Sequence, residues 1–118
     1  MDRQGIFDYA KRQYCTEPEY LWLRYPSYAV LRHPENRKWY GIVMDVPREK
    51  LGLPGAGSAD ILDVKGEALA IDLLRQSPGF LPAYHMNKKY WVSILLDGSV
   101  PDDTVLALLD RSFRATEN

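Results

Sequence analysis

At 118 residues, with 46% hydrophobic and 26% charged side chains, the chain has the size and balance of one folded domain, which excludes a largely disordered polymer. Its formal net charge of −1, from 15 Lys and Arg against 16 Asp and Glu, excludes a global field that gathers polyanions, and its single cysteine, Cys15, excludes an internal disulfide. No apolar run approaches the roughly 20 residues that span a bilayer, and Met1–Gly5 is polar rather than an apolar export core, so a cytoplasmic protein without membrane attachment is expected.

The first predicted element is a helix over Asp2–Tyr14, where Ile6, Tyr9, Ala10, Gln13 and Tyr14 follow the spacing of one helical face. Thr16–Pro18 break it, and Tyr20-Leu21-Trp22-Leu23 reads as a loop or edge segment. Tyr28–Arg32 and Trp39–Met44 read as two strands joined through the turn residues Pro34-Glu35-Asn36, a β-hairpin. Pro47 ends the second strand. The Gly- and Pro-rich run Gly52–Ser58 is a connection, because it lacks both the Gly-Lys-Ser/Thr ending of a phosphate loop and the dinucleotide spacing. Asp60–Val64 is a third strand. Gly66–Gln76 is a helix expected to bury Leu69, Leu73 and Leu74, stopped by Ser77-Pro78-Gly79.

A loop through His85 leads to a fourth strand, Tyr90–Leu96, and alternation allows only one of Tyr90 and Trp91 to be fully buried. Asp97-Gly98 turns the chain. Pro101-Asp102-Asp103 opens a last helix, since Pro fits the first turn and carboxylates favour the positive end of the dipole. Val105, Leu108, Leu109 and Phe113 face the core from it. The order α-β-β-β-α-β-α predicts one α+β domain over residues 1–118, a single antiparallel sheet with helices on one face.

The segment Pro82–Asp102, above all His85-Met86-Asn87-Lys88, Trp91 and Leu96-Asp97-Gly98-Ser99, resembles the signature of the MmcQ/YjbR family. Tyr28–His33 and Asn36-Arg37-Lys38-Trp39 resemble the first half of the same family, so the likeness runs from the first helix to about Ala115. The resemblance implies a CyaY-like, frataxin-like or secretion-chaperone-like α+β sandwich. It also implies the DNA-binding label such proteins commonly carry, with a double-wing arrangement of hairpins. Fold alone does not establish that function. The family supplies no catalytic residue set to carry over, and no enzymatic activity is expected.

Two segments carry the chemistry of a nucleic-acid surface. In the loop and strand from His85 to Trp91, His85 can donate a hydrogen bond, Asn87 both donates and accepts, Lys88 and Lys89 suit phosphate, and Trp91 or Tyr90 suits base stacking. The bland alternative has Asn87 bracing the turn, the lysines solvated and Trp91 in the core. In the hairpin, Arg32, His33, Arg37, Lys38 and Trp39 form a basic, aromatic-flanked ribbon suited to phosphates, or else a charged end that guards an edge against aggregation. Residues 1–50 carry nine basic and seven acidic groups and residues 51–118 six and nine, an asymmetry too small to name a partner.

Other chemistries are weaker. Cys15 sits at a helix C-terminus, where the dipole disfavours a thiolate, and nothing in the spacing brings it to His85 and Asn87. Two histidines and one cysteine do not make a zinc set, and the first helix offers only Asp2 and Asp8 against Arg3, Lys11 and Arg12, so neither a metal nor a cofactor is expected. Asp102 and Asp103 read as helix-start charges and Asp97 as a turn residue. Two further readings stay open: a protein- or peptide-binding adaptor using aromatics among Tyr14, Tyr20, Trp22, Tyr25, Tyr28 and Tyr84, and a small-molecule site around His85, Asn87 and Trp91.

Overall fold

The structure, a computed structural model, describes residues 1–117. Helix α1 spans Arg3–Tyr14, followed by β1 (Ala29–Arg32) and β2 (Trp39–Pro47), a 3-10 turn at Arg48–Leu51, and β3 (Ser58–Lys65). Then come α2 (Ala68–Leu74), β4 (Phe80–Pro82), β5 (Trp91–Leu95) and α3 (Asp102–Ala115). All strand pairings are antiparallel, in the spatial order β1-β2-β3-β5-β4. The α+β architecture with one antiparallel sheet is therefore as expected. The three-residue β4 is an addition to the predicted order; it is too short to show a period and ends in Pro82, which only an edge strand accommodates.

The strands bury both faces. Ala29, Leu31, Val43, Leu62, Val64, Val92 and Ile94 meet Ile6, Phe7 and Ala10 of α1 and Val105, Leu108 and Leu109 of α3. The alternate positions Val30, Ile42, Met44, Val46, Ile61, Trp91 and Leu95 form a second core on the other face. Among the described residues, no α-helix covers that second face. It is closed by Tyr28, Ala83 and the half-buried Trp22, Trp39, Tyr84 and Met86 from the flanking loops. Each such buried large apolar side chain stabilises the fold by about 1.5–3 kcal/mol relative to exposure.

The hairpin carries a bulge. Leu31 pairs with Gly41 but Arg32 pairs with Trp39, so Tyr40 is the extra residue and joins Gly41 on the helix face. Gly41 has no Cβ, which lets Leu31 and Leu109 close to 3.3 Å of where one would stand. Ser112 of α3 locks the bulge: its hydroxyl donates to the Tyr40 carbonyl at 2.6 Å and accepts from the Lys65 N–H at 2.9 Å. Helices α1 and α3 are further joined where the phenols of Tyr9 and Tyr14 both donate to Asp110. Burial and that carboxylate push the Tyr14 phenol well above its ordinary range.

Helix α2 departs from its expected burial. Ile71 is its buried residue, while Leu69 and Leu73 are 72% and 58% exposed. At seven residues the helix is too short to present a full apolar stripe, and only Ile71 and the half-buried Leu74 reach the sheet. Replacing Leu69 and Leu73 together with Ser should therefore leave the urea midpoint nearly unchanged, within about 0.5 kcal/mol per site. A loss near 2 kcal/mol per site would mean that this face is covered in solution. Among the described residues, no helix is long and apolar enough to cross a membrane.

Candidate functional site

One residue from each segment singled out for nucleic-acid chemistry, Trp39 and His85, lines a common recess on the helix-free face. Segment 20–28 enters from the β1 edge, tethered by the Glu19–Val30 bridge, in which Glu19 N–H donates to Val30 at 2.9 Å and Val30 N–H donates back at 2.8 Å. The chain after β4 enters from the opposite edge of the sheet. Over Ile42 and Met44 of β2 they leave a recess of about 400 Å³, lined by Trp22, Tyr25, Tyr28 and Trp39 together with His85 and Met86.

The aromatic rings form a continuous wall. Tyr25 stacks on Tyr28 with centroids 4.7 Å apart, and Trp22 stands edge-on to Tyr28 at 5.9 Å and to Trp39 at 5.8 Å. Tyr25 is 46% exposed, so part of this surface is open to solvent. On the other side His85 lies 4.0 Å from the Tyr84 ring and takes a left-handed backbone, φ +63°. A non-glycine residue holds that conformation at a cost.

A buried polar chain positions this loop. The Ser93 hydroxyl donates to Asp63 at 2.5 Å and accepts from the Tyr84 N–H at 3.0 Å, fixing the chain one residue before His85. Asp63 is fully buried between Ile42 and Ser93 on the sheet, and its second carboxylate oxygen has no protein partner. Burial pushes its carboxyl up to about 7, against the smaller opposing effects of the Ser93 hydrogen bond and the Lys88 charge. Asn87 braces the other end: its side-chain oxygen accepts from the Lys89 N–H at 2.8 Å and its carbonyl from the Trp91 N–H at 2.9 Å.

The expected contact residues divide accordingly. Trp39 and His85 line the recess. Lys38, Lys88 and Lys89 are exposed and, among the described residues, make no ion pair. Arg32 and Arg37 both approach Glu19 at 3.5 Å, which offsets their charge. Three residues are placed elsewhere. Trp91 is 7% exposed in the second core and Asn87 is a turn brace, as the bland reading had them, so of His85, Asn87 and Trp91 only His85 lines the recess. His33 is 4% exposed, with Nε2 2.8 Å from both the Phe113 carbonyl and the Thr116 hydroxyl. It holds the hairpin to α3, away from the recess. Cys15 ends α1 on the helix face, beside His33 rather than His85. Sequence reading offered Trp22, Tyr25 and Tyr28 as aromatics of a partner-binding surface, and passed over Met44 and Met86 as recess residues.

Comparison with known proteins places this geometry. The family model described as YjbR matches residues 12–115. The chain belongs to the YjbR family. YyaQ of Bacillus subtilis strain 168 is 44% identical over 117 residues, covering 99% of each chain. YjbR of Escherichia coli K12 is 40% identical over a shorter stretch of 48 residues, 40% of this chain and 41% of that one. The crystal structure of a Pseudomonas syringae protein superposes with a TM-score of 0.96 at 42% identity, covering 98% of this chain and 99% of that one. A Deinococcus radiodurans protein with a DUF419 domain shares the fold at a TM-score of 0.75 and 19% identity, with 98% and 78% covered. The MmcQ/YjbR resemblance of the signature block thus extends over almost the entire YjbR-family domain.

Proposed function

We propose that this YjbR-family domain is a cytoplasmic, non-enzymatic protein that binds nucleic acid weakly, through the surface around the aromatic recess. The observation that carries the reading is the convergence of two distant segments on one recess. Trp39, next to the unpaired Lys38, and His85, on the loop that bears Lys88 and Lys89, line the same hollow. Flat rings beside exposed ammonium groups are the combination that binds bases and backbone without reading sequence. With so few free cations and a net charge of −1, affinity is modest and salt-sensitive.

Fluorescence anisotropy with labelled DNA, titrated across salt, tests this. The logarithm of affinity should fall linearly with the logarithm of salt concentration, with a slope worth a few phosphates. Replacing Lys88 and Lys89 with Ala should weaken binding and flatten that slope by about 2, one per lysine, with the melting temperature unchanged. No binding at low salt overturns the reading. A protein partner is the second reading, favoured by the exposed strip of Tyr20 (55%), Leu21 (44%) and the fully exposed Leu23 beside the recess.

A further inference from the structure

We propose that the recess takes an unstacked nucleobase, so that the domain prefers single-stranded nucleic acid to duplex. This rests on the nucleic-acid reading and specifies which form of the polymer is bound.

The shape of the hollow carries the inference. Its lining is aromatic, aliphatic and thioether, with His85 as the one titratable side chain besides the two tyrosines, and no carboxylate opens into it. Such a hollow suits a flat ring, which can lie against its aromatic wall. Bases paired within a duplex are stacked inside the helix and cannot enter a concave site, whereas a single strand turns its bases outward at little cost. The Tyr25–Tyr28 stack and the Trp22–Trp39 edge contact line the hollow together with His85 and Met86, so a base in it meets ring faces and edges. Charge complements this. Lys38 adjoins Trp39 in sequence, Arg24 adjoins Tyr25, and Lys88 and Lys89 follow His85 on its loop, and none of these four is paired among the described residues. Arg24 shares the wall of the neighbouring hollow with Tyr25 and Tyr28, which places this cation beside the recess to meet a phosphate of a strand whose base enters it. The polar chain through Asp63, Ser93 and Tyr84 keeps the loop in place before the strand arrives, which reduces the ordering cost of binding.

The test compares a labelled twelve-nucleotide oligothymidylate with a duplex of equal length by anisotropy at low salt, while following intrinsic tryptophan emission. The single strand should bind at least fivefold tighter and quench tryptophan emission. Tyr25→Ala, at a half-exposed position, should reduce single-strand affinity by about fivefold or more and leave duplex affinity unchanged. His85→Gly removes the second ring while suiting the left-handed backbone, and should act in the same direction with the fold retained. Equal affinity for the two forms with a normal salt slope overturns the base-insertion proposal and leaves the nucleic-acid reading standing. So does a loss of affinity for both forms alike in Tyr25→Ala. Competition by thymidine monophosphate as effective as the strand, nucleotide for nucleotide, overturns it in favour of a free nucleotide. Failure of both DNAs to bind overturns the nucleic-acid reading itself.

Discussion

Asp63→Asn should stabilise the protein at pH 8 by up to about 4 kcal/mol and remove much of its pH dependence between 4 and 7. The carboxyl is raised from 3.8 to about 7 because burial penalises its charged form. The native state therefore holds a proton that the unfolded chain has already released over this interval. More protons bound in the native state means that stability falls as pH rises. The contribution is fully present below pH 4, is lost progressively towards pH 7, and is level above it. About three pH units at 1.36 kcal/mol each sets the ceiling. Asn preserves the oxygen that accepts from Ser93, so the Ser93–Tyr84 link and the loop bearing His85 remain in place. Urea unfolding of both proteins at pH 5, 6, 7 and 8 measures the gap, which should widen up to pH 7 and then hold. A constant gap would show that the carboxylate is ionised in the native state throughout.

Asp63 also shows what the sequence could and could not reveal. Asp60 and Asp63 fall on opposite faces of the otherwise apolar stretch Asp60–Val64, yet Asp60 is partly exposed beside Arg3 and only Asp63 is fully buried, so the pattern does not say which acid is enclosed. The identity of its partner, Ser93, depends on the β3–β5 register, which pairs residues 30 positions apart. Local patterns were legible for similar reasons: α1, the hairpin, β3 and α3 each bury residues at the period of their own backbone. Leu69 and Leu73 had helical spacing too, but spacing does not say whether a neighbour exists to cover the face. The bulge at Tyr40 leaves no composition signal, and the hydroxyl that holds its carbonyl, Ser112, lies on a helix 72 positions away. The recess was half legible. The His85 loop and Trp39 stood out by residue type, whereas Trp22, Tyr25 and Tyr28 lie in a segment with no period, and what folds them over β2 is contact between distant parts of the chain.

His33→Ala should cost about 3 kcal/mol of stability and leave DNA affinity within twofold of the parent at a temperature where the variant is folded. The sequence offered His33 as part of a basic ribbon, yet its ring is enclosed: it stacks on Phe113 with centroids 3.9 Å apart and meets Tyr40 edge-on at 5.4 Å. A carbonyl can only accept, so the 2.8 Å contact with the Phe113 oxygen places the proton on Nε2. The Thr116 hydroxyl turns its own proton to the Ser112 carbonyl at 2.8 Å and accepts from the same Nε2. One imidazole thus satisfies the last turn of α3, while Asn36 donates to the Thr116 carbonyl at 2.8 Å from the hairpin turn. Truncation removes the stack and leaves a cavity, and the released carbonyl loses its donor. Amide exchange should quicken at 112–116 and across the 33–38 turn, well away from the 83–90 loop. Affinity lost without any loss of stability would instead return His33 to the binding surface and require the hairpin to open away from α3.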